Sequence, residues 1–117
     1  MTAPETNTKS PQSKPKGRRE MLEGFVASHP DDAFGRYGLA MECAKQNDNA
    51  AAEAHFKQLI SSHPEYVAAY FHFGRLLAML GRTAEARSVL AEGVARATAG
   101  GDAHARSEIQ AALDELG

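Results

Sequence analysis

From Arg18 onward the large apolar residues return every three or four positions and never alternate one by one. That spacing lines one face of a helix and excludes a half-buried strand. "RREMLEGFVAS" sets Met21, Leu22, Phe25 and Val26 on one stripe and stops at His29-Pro30. "DDAFGRYGLAMECAKQ" opens with Asp31 and Asp32, acids suited to the positive end of a helix, and runs to Gln46. "NDN" then supplies a turn and a new cap before "NAAAEAHFKQLISS", which stops at His63-Pro64. The next helix is expected to carry Pro64 in its first turn and to end at Gly81. Thr83 is the expected cap of "AEARSVLAEGVARAT", and Asp102, after Gly100-Gly101, that of "AHARSEIQAALDEL". Alanine is abundant and β-branched residues are scarce. The reading is all-α, with six short helices joined by tight turns.

The tripeptide Ser-His-Pro followed by an acid occurs at Ser28 and again at Ser62. At that offset Leu39 falls over Phe73, Ala40 over Gly74, Cys43 over Leu77, Ala52 over Ala86 and Phe56 over Leu90, large on large and small on small. One unit reads Arg36-x2-Leu39-Ala40-x2-Cys43, then Ala52-x3-Phe56 and Pro64; the next reads Tyr70-x2-Phe73-Gly74-x2-Leu77, then Ala86-x3-Leu90, with Thr98 at the proline place. In period and pattern the chain resembles the tetratricopeptide repeats, whose units are helix–turn–helix pairs of about 34 residues. Arg36 and Tyr70 stand where that pattern has tryptophan, and Ala40 where it has glycine. The resemblance implies a right-handed superhelix of antiparallel helix pairs: 18–30 a preceding half repeat, 31–64 repeat 1, 65–100 repeat 2, and 101–117 a capping helix. Phe56 and Leu90 are expected to fill the space between successive units, and the Ser-His-Pro copies to punctuate the turns between them.

Composition adds bounds. The 117 residues suffice for one domain, and 43% hydrophobic with 24% charged residues is ordinary globular usage. Residues 1–17 differ: they hold three of the five prolines, nothing apolar beyond alanine except Met1, and three lysines against one glutamate. Such a segment cannot bury enough surface to offset its ordering entropy, so a disordered tail is expected, with a basic nucleic-acid arm as the weakest reading. The rest of the chain carries ten Lys/Arg against fourteen Asp/Glu. No apolar run reaches the ~18 residues of a membrane span, and the N-terminus has no secretory core. One cysteine, Cys43, permits no internal disulfide and suits a reducing compartment, so a cytoplasmic protein is expected.

Chemistry is sparse. The chain has no glycine-rich phosphate loop, nucleophile elbow, His-Glu-x-x-His or Cys-x-x-Cys. Its five histidines are not spaced as metal ligands, and Cys43 takes a core place of the repeat. No catalysis, metal or cofactor is expected. "EYVAAYFHFG", however, holds four of the eight aromatics. Tyr66, Tyr70, Phe73 and Leu77 share one stripe, whereas Phe71 lies about 160° from Phe73 around the helix. In tetratricopeptide repeats the first helix of each pair lines a concave groove. Carried over by register, that groove would hold Phe34, Tyr37, Met41, Phe71, His72 and Arg75, with Lys45 and Arg106 at its margins. The alternative is that Phe71 packs against the final helix as core. The lysine–asparagine clamp by which some relatives hold chaperone C-termini is missing, since Tyr37, Met41 and His72 stand there.

These residues point to a non-enzymatic module that binds a peptide or protein segment in an aromatic, mildly basic groove, Phe71 anchoring an apolar side chain while Arg75 and His72 act as cationic donors to a carboxylate. A second reading is self-association through exposed end helices. No nucleic acid or membrane partner is expected, and the chain should be a monomer or a weak homodimer.

Overall fold

Aspartates begin three of the helices, because a carboxylate placed just before a first turn accepts N–H groups that have no partner inside the helix. The computed structural model describes residues 17–117 and contains α1 (Arg18–Ser28), α2 (Ala33–Lys45), α3 (Asn49–Ser62), α4 (Val67–Met79), α5 (Thr83–Ala99) and α6 (Ala103–Asp114). Asp32 caps α2 through Gly35 N at 2.7 Å, Asp48 caps α3 through Ala51 N at 3.3 Å, and Asp102 caps α6 through Ala105 N at 3.0 Å. Except for Gly17, the tail expected at 1–17 lies outside the described residues.

Two expected starts are corrected. Pro64 sits before α4 rather than in its first turn, because Tyr66 N donates to the His63 carbonyl at 3.0 Å and closes a turn first. Thr83 is the first helical residue of α5, the capping place falls to Arg82, and no side chain bonds there. Three of the stops, those of α2, α4 and α5, share one device. Asn47, Gly81 and Gly101 all take positive φ, and the next N–H reaches back into the finished helix, as Arg82 N does to the Leu77 carbonyl at 2.9 Å. Asn47 and Gly81 hold equivalent places in successive units.

The Ser-His-Pro turns are held in the same way in both units. Arg36 donates to the Pro30 carbonyl at 3.4 Å, and the Tyr70 hydroxyl donates to the Pro64 carbonyl at 2.6 Å. Both residues occupy the tryptophan place of the family pattern, so two different side chains tie equivalent turns to the first helix of the next pair.

Consecutive helices pack antiparallel, and the first helices of successive pairs also touch, α2 on α4 and α4 on α6. Leu39, Ala40, Cys43, Ala52, Phe56, Phe73, Leu77 and Ala86 fall in one buried cluster. Phe56 stacks on Phe73 of the following unit, ring centroids 5.6 Å apart, and so bridges units as expected. Leu90 does something else. It fills the space over Gly74 inside its own pair, where a Cβ on Gly74 would stand 2.4 Å from Leu90 Cδ2. Ile109 of α6 is buried and lies against Gly93, beside Tyr70. The α1 stripe is corrected, because Val26 is buried and Leu22 half-buried while Met21 and Phe25 are exposed. With no helix before α1 among the described residues, its apolar face has only one neighbour. None of the described helices is long and apolar enough to cross a membrane.

Candidate functional site

The expected groove residues come from the first helix of each pair, α2, α4 and α6, whose side chains at spacings of three and four share a face. They do not form one continuous trough. Phe34, Tyr37, Met41 and Lys45 line a depression of about 640 Å³ between α1 and α2, together with Leu22, Phe25 and Arg18 of α1. Met41, His72 and Arg75 line a second depression of about 340 Å³ between α2 and α4, with Leu76 and Met79. Phe71 and Arg75 face Glu108, Ala111, Ala112 and Glu115 of α6 across a third, of about 260 Å³.

A run of rings connects the three. Tyr37 lies 5.4 Å from Tyr66 and 5.8 Å from His72, centroid to centroid. His72 meets Phe71 edge-on at 5.0 Å, and the Arg75 guanidinium stands 5.4 Å over the Phe71 ring. A cation over a ring face is attracted by its quadrupole, so Phe71 and Arg75 hold each other's orientation.

Phe71 is half-buried, neither fully in water nor in the core, because α6 covers one side of it. The expectation of two cationic donors is corrected. Burial, then the nearby positive charge of Arg75, pushes the His72 pKa down, so the imidazole is neutral near pH 7 and Arg75 alone carries the charge. Arg106 stays exposed and lines none of these three depressions. From α6 it is Glu108 and Glu115 that reach the site, so its charge is mixed rather than basic. Burial raises the pKa of the Tyr37 phenol, leaving it a neutral hydroxyl.

Sequence reasoning missed Leu22, Phe25, Leu76 and Met79 as lining residues. Leu76 and Met79 lie four and seven residues beyond His72, a signal that was available. Phe25 belongs to the apolar stripe of α1, rests over Gly35, and stays partly exposed because no described helix covers that face. Cys43 is buried, and burial pushes its thiol pKa up, which disfavours the reactive thiolate.

A family model described as tetratricopeptide repeat matches residues 44–113. A TPR repeat-containing protein of Pseudomonas aeruginosa is 30% identical over 97 residues, spanning 83% of this chain and 92% of that protein. Among solved structures, the solution structure of a tetratricopeptide repeat domain protein from Salinibacter ruber matches with a TM-score of 0.71 and 37% identity, over 74% of this chain and 88% of that one. The solution structure of protein BPP2914 from Bordetella parapertussis matches with a TM-score of 0.75 and 28% identity, over 87% of this chain and 89% of that one.

Proposed function

Because the chain belongs to the tetratricopeptide-repeat family, whose domains generally mediate protein–protein interaction, we propose that it is a non-enzymatic module holding a peptide segment across α2, α4 and α6. The observation carrying this reading is the run Tyr37–His72–Phe71–Arg75, rings and a guanidinium in mutual contact beside an apolar hollow of Met41, Leu76 and Met79. An apolar side chain of the ligand enters the hollow. Its carboxylate meets Arg75, and Glu108 takes a donor from the same segment. Neutral His72 and Tyr37 add directional hydrogen bonds, which select orientation more than they add affinity. The ligand is a protein or peptide; nucleic acid, membrane and cofactor have no part in this reading. With its single buried thiol, the protein acts in the cytoplasm, as a monomer or a weak homodimer.

The test is a peptide library displaying free or amidated C-termini, read by amide shifts in the labelled protein. Ligands should shift Met41, His72 and Arg75, prefer an apolar residue near a free carboxylate, and lose at least tenfold in affinity on Arg75→Ala. Ligands that shift only the outer faces of α3 and α5, indifferent to Arg75→Ala, would refute the reading.

A further inference from the structure

The first helix of each pair sits in a seat made by the two helices that follow it. α2 lies on α3 and α4, burying Phe56, Leu59, Ala69 and Leu76, and α4 lies on α5 and α6, burying Leu90, Gly93 and Ile109. Moved back by one repeat period, Phe56, Leu59, Ala69 and Leu76 become Leu22, Phe25, Gly35 and Glu42. These four line the α1–α2 depression, so the depression is the same seat one unit earlier, and no described helix fills it. Its floor is built for close approach, since the Phe25 ring lies over Gly35, 2.5 Å from where a Cβ would stand. Its rim leaves Phe34 74% and Phe25 42% exposed.

Two occupants from this chain lack the chemistry. Residues 1–16 have prolines at 4, 11 and 15 and no leucine, isoleucine, valine or aromatic residue, so they offer neither an uninterrupted helix nor an apolar face. A second copy would have to present the outward face of α6, which carries exposed Ser107 and Ala111 where α4 has buried Phe73 and Leu77.

The charges state what fits. Asp31 and Asp32 stand at the end of the seat where α2 begins. At the opposite end Lys45 stands beside Arg18, which is paired with Glu42 at 3.3 Å, so the net charge is negative at the first end and positive at the second. A helix lying parallel to α2 puts its partly positive N-terminus against the acids and its partly negative C-terminus against the bases. We propose that the α1–α2 seat docks an amphipathic helix of another protein, parallel to α2. It would present a large apolar residue, a small one next to it and another apolar one a turn later, as Leu39-Ala40 with Cys43 and Phe73-Gly74 with Leu77 do in the filled seats. This surface is distinct from the α2–α4–α6 face, sharing only the α2 rim.

The probe is a synthetic peptide of residues 31–46 carrying Cys43→Leu, the residue that α4 has at the same place, since α2 fills the equivalent seat. It is titrated into the labelled full chain beside a scrambled control and a version with Asp31→Lys and Asp32→Lys. Saturable shifts should centre on Phe25, Phe34 and Gly38, and Phe34→Asp in the protein should weaken binding at least tenfold. Phe34 is mostly in water, so that variant keeps its fold. The lysine version should bind severalfold tighter at low salt and lose that advantage at high salt. A nitroxide on the N-terminus of the peptide should broaden Phe34 rather than Lys45. Arg75→Ala should leave all of this unchanged, which separates failure here from failure of the other face. No saturable binding by either peptide, shifts centred on His72 and Arg75, or broadening at Lys45 would each overturn the proposal. So would light scattering that shows a dimer abolished by Phe34→Asp, because the occupant would then be a second copy.

Discussion

Arg82 grips Glu53 with both prongs of its guanidinium, Nη1 donating to Oε1 at 2.7 Å and Nη2 to Oε2 at 2.8 Å. One unit earlier the same two places are Arg19 and Asp48, and Arg19 Nη2 meets Asp48 Oδ2 at 2.9 Å. The pair recurs at the repeat period with its signs reversed. If α1 slipped one unit and docked on the α4–α5 turn, Arg19 would face Arg82. Like charges held at that distance repel, so the reversal favours one register of stacking over the slipped one. Glu85 and Lys57 complete the inner pair as a network, and such networks outlast isolated surface pairs.

Arg82→Glu should therefore lower the thermal midpoint, because it sets a third carboxylate beside Glu53 and Glu85. Adding Glu53→Arg should recover much of the loss. A double variant no more stable than Arg82→Glu alone, by calorimetry, would show that the pair is incidental.

Acid sensitivity should come in two stages. Arg82, then Lys57, holds the Glu53 carboxyl down at about 2, and Asp48 and Glu85 are lowered by Arg19 and Arg82. A lowered folded-state pKa means that the unfolded chain binds more protons, so this stability is present above the ordinary carboxylate range and lost as pH falls toward 2. Burial, then Arg36, lowers the pKa of His55, as burial and Arg75 lower that of His72. Their contribution is full above the ordinary histidine value near 6.5 and starts to decline below it. Urea midpoints across pH should fall gently from about 6.5 and steeply below about 4.5. Glu53→Gln should flatten the second limb, and a steep limb that survives it would assign acid unfolding to other groups.

Gly74→Ala should cost about 1–3 kcal/mol, because the new Cβ would overlap Leu90, which is buried and has little room to move. Leu90→Ala alone should cost about 2–5 kcal/mol through the cavity it leaves. The double variant should cost less than the sum, since each change relieves the other. Strict additivity in denaturant melts would mean that the two do not share this space.

Removal of α6 after Gly100 uncovers Gly93, Tyr70 and one side of Phe71. The truncated chain should aggregate or melt partially, since an inner helix has two apolar sides and only an end helix can manage with one. A monodisperse truncate with unchanged helicity per residue would contradict this.

Phe71→Ala should move the thermal midpoint by only a few degrees, as its ring lies outside the buried cluster and lines an open depression, yet it should loosen Arg75 and weaken capture of the peptide ligand. A loss as large as that of Phe56→Ala, about 3–5 kcal/mol, would make Phe71 a core residue.

Much of this molecule was legible in the chain. Helix-period spacing, the aspartate caps, the left-handed stops at Gly81 and Gly101, and the offset that pairs Leu39 with Phe73 rest on rules within a turn or two of helix, or on repetition itself. Such rules need no knowledge of distant neighbours. The candidate site was legible as a set of residues but not as a shape. Phe71 became half-covered because α6 reaches it from more than thirty positions away. His72 became neutral because packing removed its water. Phe25 and Phe34 became exposed because their end of the stack has a seat and no described helix to fill it. The Arg19–Asp48 and Glu53–Arg82 pairs join positions far apart in sequence, at a separation that no local period marks. Those outcomes follow from which surfaces meet and which find no partner, and stacking the helices decides that.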